Sequence, residues 1–195
     1  MHNTRGCTAG ITMSGTFLRP LLDQLTVSPV RLRVLLTSLS ESALRSAPAG
    51  GGFAPIEDAW HLRDIEAEGH FLRIRRILAE ERPVLASIDG ERLARERHYS
   101  ERELGTALDE FAQYREASVE LLGPLPEEAW SRTAIFEDRV ISLRELVTAM
   151  AAHDESHLAP LAAQLSGARK LPGDSSEAVP VSHGVTPAAV ATVLR

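Results

Sequence analysis

A single cysteine, Cys7, stands in 195 residues, so the chain can close no internal disulfide and a reducing compartment is expected. No apolar run approaches the ~20 residues that span a bilayer. Polar residues also interrupt Ile11, Met13, Phe17 and Leu18, leaving no signal-peptide core. The expectation is a cytoplasmic protein with no membrane partner. Aromatic residues make up only 5% of the chain, which leaves packing to aliphatic residues and alanine and favours helices over sheets. Positive charge is in deficit: the net charge of −6 argues against nucleic acid as a main partner. Arginines do cluster at Arg73, Arg75 and Arg76 and at Arg92, Arg95 and Arg97, but glutamates interleave with them, the pattern of a solvated helix face.

What is present suffices for one domain. A hydrophobic fraction of 44% can bury a sizeable core. Residues 1–25 lack periodicity and read as a partly disordered leader, and residues 167–195 read as a Gly, Pro, Ser and Ala tail with a short helix considered from Thr186. Between them, over 26–166, four helical segments predict an all-α fold, a four-helix bundle. The first runs from Pro29 to Arg45, and a linker from Ala47 to Ala54 follows. The second runs from Ile56 to Glu81, stopping before Pro83, with a main apolar stripe of Trp60, Ala67, Phe71, Ile74 and Leu78 and a weaker one of His61, Ile65 and Leu72. The third opens at Ser100, where Ser100 and Glu103 match the S-x-x-E capping box, and ends at Gly123-Pro124. The fourth opens on a second such box, Ser142 and Glu145, and carries Leu143, Leu146, Val147, Met150, Leu158, Leu161 and Leu165. The stretch from Trp130 to Val140 reads as an irregular loop or a short hairpin.

Seven histidines remain to be weighed. His2 and His183 fall in the tails and His98 in a charged linker. His70 lies about 180° around its helix from His61 and is expected to face solvent. His153 and His157 differ, because four residues place them one turn apart on one helix face. That pair is either a platform for one metal ion or two hydrogen-bonded rings at a helix interface. His61, on the secondary face of the second helix, could complete a three-imidazole site, since facing helices of a bundle build metal sites from inward side chains. Three neutral imidazoles leave coordination positions open, as catalytic sites do.

The residues around these histidines resemble the DinB-like superfamily from about Ser40 to Leu165. Phe53 to Glu66, F-A-P-I-E-D-A-W-H-L-R-D-I-E, is similar to that family's W-S-x-x-E-x-x-x-H-L-x-D-x-E, with Glu57, His61, Leu62, Asp64 and Glu66 in place. Arg73-Ile74 with Ile77-Leu78 resembles its R-I-x-x-I-L pattern, and His153 to Leu158, H-D-E-S-H-L, its last marker. Phe53 and Ala54 depart from Trp-Ser, which removes a hydroxyl cap worth ~1 kcal/mol. Asp58 offsets part of that through the helix dipole.

The resemblance implies a four-helix bundle with a divalent metal ion on His61, His153 and His157, whether Zn, Ni or Fe, and commonly a homodimer. It further implies a metal-dependent enzyme acting on a small-molecule substrate, with thiol S-transfer from a low-molecular-weight thiol as the leading reading. Related hydrolase and isomerase chemistries stay open, as does a non-enzymatic metal-binding, stress-response or dimerisation protein. In a hydrolase Glu57 or Asp154 would be the general base; the alternative is that both carboxylates sit on the helix surface or orient the ligands by hydrogen bonds.

Overall fold

A computed structural model describes residues 15–168. Cys7, His2, His183 and the helix considered from Thr186 lie outside the described residues.

The first helix is longer than its local sequence predicts. Helix α1 (Gly15–Thr37) begins inside the expected leader and stops eight residues short of Arg45, followed by one turn, α2 (Glu41–Leu44). Leu21, Leu25, Leu32 and Leu36 are all buried and recur at a 4-7-4 spacing, one face of a helix. Pro20 and Pro29 obscure that pattern. Pro29 has no N–H to give the carbonyl of Leu25, a loss that ordinarily breaks a helix. Here the guanidinium of Arg115 donates to that carbonyl at 3.2 Å.

The second helix is continuous but slips. It comprises α3 (Pro55–Asp64), a π-helical turn (Ile65–His70) and α4 (Phe71–Ala79). Pro55 occupies the first helical position, where its missing N–H costs nothing. The Glu57 carboxylate accepts from the Ala54 N–H at 2.8 Å, so half of a capping box survives the absent hydroxyl. The i→i+5 turn absorbs one extra residue and turns everything beyond it by about 100° relative to a regular helix. Leu72, assigned to the weaker stripe, is therefore exposed, whereas Ile77 is buried beside Ile74.

Beyond α4 the chain adds small elements at one end of the bundle. Strand β1 (Val84–Leu85) pairs in parallel with β2 (Thr133–Phe136), which pairs antiparallel with β3 (Arg139–Ser142). The stretch from Trp130 thus contains a hairpin, closed by Glu137 and Asp138 at φ 49° and 60°, the left-handed pair of a type I′ turn. Helix α5 (Gly90–Glu96) is capped by Asp89, whose carboxylate accepts from the Arg92 N–H at 2.9 Å.

The two expected capping boxes fare differently. Ser142 and Glu145 form a reciprocal box, at 2.7 and 3.2 Å, opening α7 (Leu143–Ala168). Ser100 does not cap the third helix: it lies in a 3₁₀ turn (Tyr99–Glu101), and α6 (Leu104–Leu122) starts after Glu103. The reason is tertiary. Buried Tyr99 donates its hydroxyl to Asp64, and His98 adopts a left-handed conformation (φ 52°), so the chain must redirect before a helix can begin.

Helices α1, α3–α4, α6 and α7 form the four-helix bundle, with α1 against α6 and α7, and α3 against α6. Its core has two apolar clusters, one containing Leu36, Trp60, Phe111 and Leu158, the other Leu25, Ile74, Trp130 and Met150. A polar hub joins them. Arg115 on α6, 1% exposed, donates two hydrogen bonds to Asp154 on α7 at 2.5 and 3.0 Å and one to Glu66 in the π turn at 2.9 Å. The second Glu66 oxygen accepts from Ser118 at 2.6 Å. With the Leu25 carbonyl, this hub touches all four long helices.

Candidate functional site

Helix α7 presents His153 and His157 one turn apart, and α3 brings buried His61 against both. The Nε2 atoms of His61 and His153 are 3.0 Å apart, and one ring nitrogen from each of His61, His153 and His157 lies within 4.8 Å of the others. Ring centroids are separated by 4.7 Å for His61–His157 and 4.8 Å for His153–His157. Two imidazole nitrogens sharing one ion at ~2.1 Å each stand roughly 3–3.4 Å apart, so the His61–His153 spacing fits a shared ligand set.

Each ring is held by its surroundings. Nδ1 of His157 hydrogen-bonds to Asp58 Oδ1 at 2.7 Å, leaving Nε2 toward the cluster. Phe53 packs on His61 at 5.1 Å between centroids and stacks near His157 at 6.5 Å. The His153 ring is held by its Nε2 contact with His61 and by edge-on packing against His157. Gly90, the first residue of α5, lies against His61: a Cβ there would stand 2.4 Å from the ring carbon Cε1.

Burial, with a contribution from His157 and then His153, lowers the pKa of His61 to about 3. Burial and then His157 lower His153 to about 4. Both rings are therefore neutral at physiological pH, the form that binds a metal. Asp58 is shifted upward, chiefly by burial, with the His157 hydrogen bond opposing. The Nδ1 atoms of His61 and His153 are buried without a hydrogen-bond partner.

Two clefts flank the cluster. The front one, about 850 Å³, is lined by His61 and His157 together with Phe53, Glu57, Gly90 and His98. The rear one, about 590 Å³, is lined by His61 and His153 together with His70 and Arg73.

Of the carboxylates singled out from the sequence, neither orients a histidine. Glu57 caps the start of α3, and both Asp154 oxygens are taken by Arg115. The orienting residue is Asp58, three positions before His61 and so on the same helix face, a spacing that was legible. His98 is exposed and borders the front cleft. His70 is not solvent-facing as the regular helix predicts: it is 7% exposed, with its ring centroid 5.7 Å from that of His153. The π turn accounts for this, reducing its offset from His61 from about 180° to about 80°. Arg73 leaves the expected solvated face for the same reason and is buried.

The sequence pattern of the DinB superfamily matches residues 24–161. The chain belongs to the DinB superfamily. Among solved structures, this DinB member is similar to YfiT from Bacillus subtilis, described as a probable metal-dependent hydrolase with an unusual four-helix bundle topology. The two superpose with a TM-score of 0.73 at 18% identity, covering 85% of this chain and 94% of YfiT, a likeness of fold. No curated protein matches the sequence. Among the described residues of this DinB protein no helix is long and apolar enough to cross a membrane.

Proposed function

We propose that the protein is a divalent-metal enzyme whose ion is held by His61, His153 and His157, and that it transfers a low-molecular-weight thiol to an electrophilic small molecule. The observation that carries the metal assignment is the 3.0 Å approach of His61 Nε2 to His153 Nε2 beside a His157 ring oriented by Asp58. A carboxylate–imidazole pair of this kind is the usual support of a metal-bound histidine. The description of YfiT as probably metal-dependent agrees with it.

A divalent ion held there supplies Lewis acidity, lowering the pKa of a bound thiol or water. The disposition of the carboxylates favours the thiol. Asp154 is committed to Arg115, Asp58 to His157, and one oxygen of Glu57 to the Ala54 N–H. A thiol, with an ordinary pKa of ~8.5, needs far less help to ionise than water at ~15.7. The front cleft gives such a nucleophile room beside His61 and His157, with Phe53 as an apolar wall.

Hydrolysis, the reaction named for YfiT, is the second reading, and it calls for Glu57 as base through its remaining oxygen. Association into a homodimer belongs to the same proposal, supported by the valine stripe Val27, Val30 and Val34 exposed on α1.

The test is metal content of the untagged protein, in parent and His153→Ala forms, followed by thiol titration of the Co²⁺-substituted protein. About one ion per chain, lost in the variant, and a thiol-dependent change in the Co²⁺ spectrum are expected. Unchanged stoichiometry in His153→Ala rejects the metal centre. A Co²⁺ spectrum indifferent to thiols rejects S-transfer and leaves hydrolysis.

A further inference from the structure

The rear cleft holds two buried polar side chains, Arg73 and His70, that the proposed metal centre does not use. Arg73 is 9% exposed, and no carboxylate among the described residues comes within ion-pair distance of it; Glu137, in the same cleft, acts on its charge only through space. Its Nε and Nη2 donate to one backbone carbonyl, that of Ala86, at 3.3 and 2.8 Å, and its guanidinium lies 4.7 Å from the Phe136 ring centre. A carbonyl and an aromatic face do not neutralise a buried cation, and buried charges are ordinarily paired. His70, one turn away, has neither ring nitrogen hydrogen-bonded. Unsatisfied buried polar groups are rare in folded proteins, and His70 beside a buried cation that has no ion pair points to something that occupies the cavity.

We propose that the rear cleft binds a small monocarboxylic acid, its carboxylate taken by Arg73 and His70 and its apolar body by Phe136 and Ile141. Arg73 supplies the charge through Nη1, which Ala86 leaves free, and neutral His70 supplies one N–H donor. A second arginine, Arg139, lines the exposed part of the cleft, where Glu145 faces its charge. The buried part therefore offers the single cation of Arg73, which suits a monoanion. Glu137 and Glu145 stand at the rim, the former accepting from Ser87 at 2.8 Å, and they disfavour a dianion such as phosphate. At about 590 Å³ the cleft is of ordinary ligand-pocket size. Because His61 and His153 line it, the acid would lie beside the histidine cluster. The site does not depend on a metal ion, so it goes beyond the enzymatic reading and can stand or fall separately.

The experiment titrates benzoate, benzamide and inorganic phosphate into the full-length protein, both metal-loaded and chelator-stripped, while following histidine side-chain NMR signals. Benzoate alone should bind saturably in both forms and move the His70 signals but not those of His98 in the front cleft. Arg73→Gln should weaken benzoate by ~10-fold or more, the effect of one lost charge-assisted hydrogen bond, without changing metal content. If Arg73→Gln does not fold, His70→Asn and the parent NMR titration decide. Absence of saturable benzoate binding, equal binding of benzamide, or shifts at His98 in place of His70 overturns the proposal. So does benzoate binding that requires the metal and survives Arg73→Gln, since the carboxylate then sits on the ion.

Discussion

The Nδ1 of His157 and the Oδ1 of Asp58 meet at 2.7 Å, joining α7 to the first turn of α3. This contact sets which nitrogen His157 turns toward His61 and His153. Asp58→Asn keeps the size and loses the charge, so metal affinity should fall by ~10–100-fold while stoichiometry at saturation stays the same. Competition against a chromophoric chelator measures it. Unaltered affinity would mean that Asp58 only anchors the helix start.

Gly90→Ala tests the close approach of α5 to the cluster. The new Cβ would stand 2.4 Å from Cε1 and 2.7 Å from Nδ1 of His61, distances that no relaxed packing allows. His61 or α5 must move, and metal affinity is expected to drop by ~10-fold or more, as small misplacements of ligands do. The same substitution raises helix propensity by up to ~1 kcal/mol. A variant with intact metal affinity and higher thermal stability would show that the contact yields freely.

Arg115→Met should be among the most damaging single changes. It leaves Glu66 and Asp154 buried beside one another without a counter-charge, and breaking a buried pair this way costs about 3–5 kcal/mol. Urea denaturation reads the loss directly. Adding Glu66→Gln and Asp154→Asn should recover part of it, and failure to recover any would place the cost in packing rather than charge.

Metal-stripped protein should lose stability on mild acidification. His61 and His153 titrate at about 3 and about 4 in the folded chain, against an ordinary 6.5. Below pH ~6.5 the unfolded chain therefore binds protons that the folded chain refuses, and stability falls as pH drops toward 4. Denaturation midpoints at about pH 7.5 and about pH 5 should differ, and less so in a His61→Gln, His153→Gln double variant. Equal pH sensitivity in parent and variant would assign the effect to other groups.

Much of the bundle was readable because its signals are local. A repeated apolar face and the Ser142–Glu145 box each need only a few consecutive residues, and both are present in the folded chain. The i, i+4 spacing of His153 and His157 follows from helix geometry in the same way. His61 entered on its surrounding motif, and the structure places it against that pair. Ser100 shows the limit of local reading. It has the right residue three positions before a glutamate, but the Tyr99–Asp64 contact pulls the chain out of helical course there.

The sequence by itself determined an all-α chain, the order of its helices and the three histidines worth examining, because propensity, capping and periodicity are properties of neighbouring residues. Only the tertiary structure decided where α1 begins, since the carbonyl freed by Pro29 is satisfied by Arg115 from another helix. The π turn from Ile65 to His70 belongs there too. It slips the backbone ladder by one residue while Glu66 reaches Arg115 and Ser118, and it carries His70 and Arg73 inward. No pattern along a regular helix encodes that rotation, because the partners of Glu66 lie on α6, which the second helix meets only after folding.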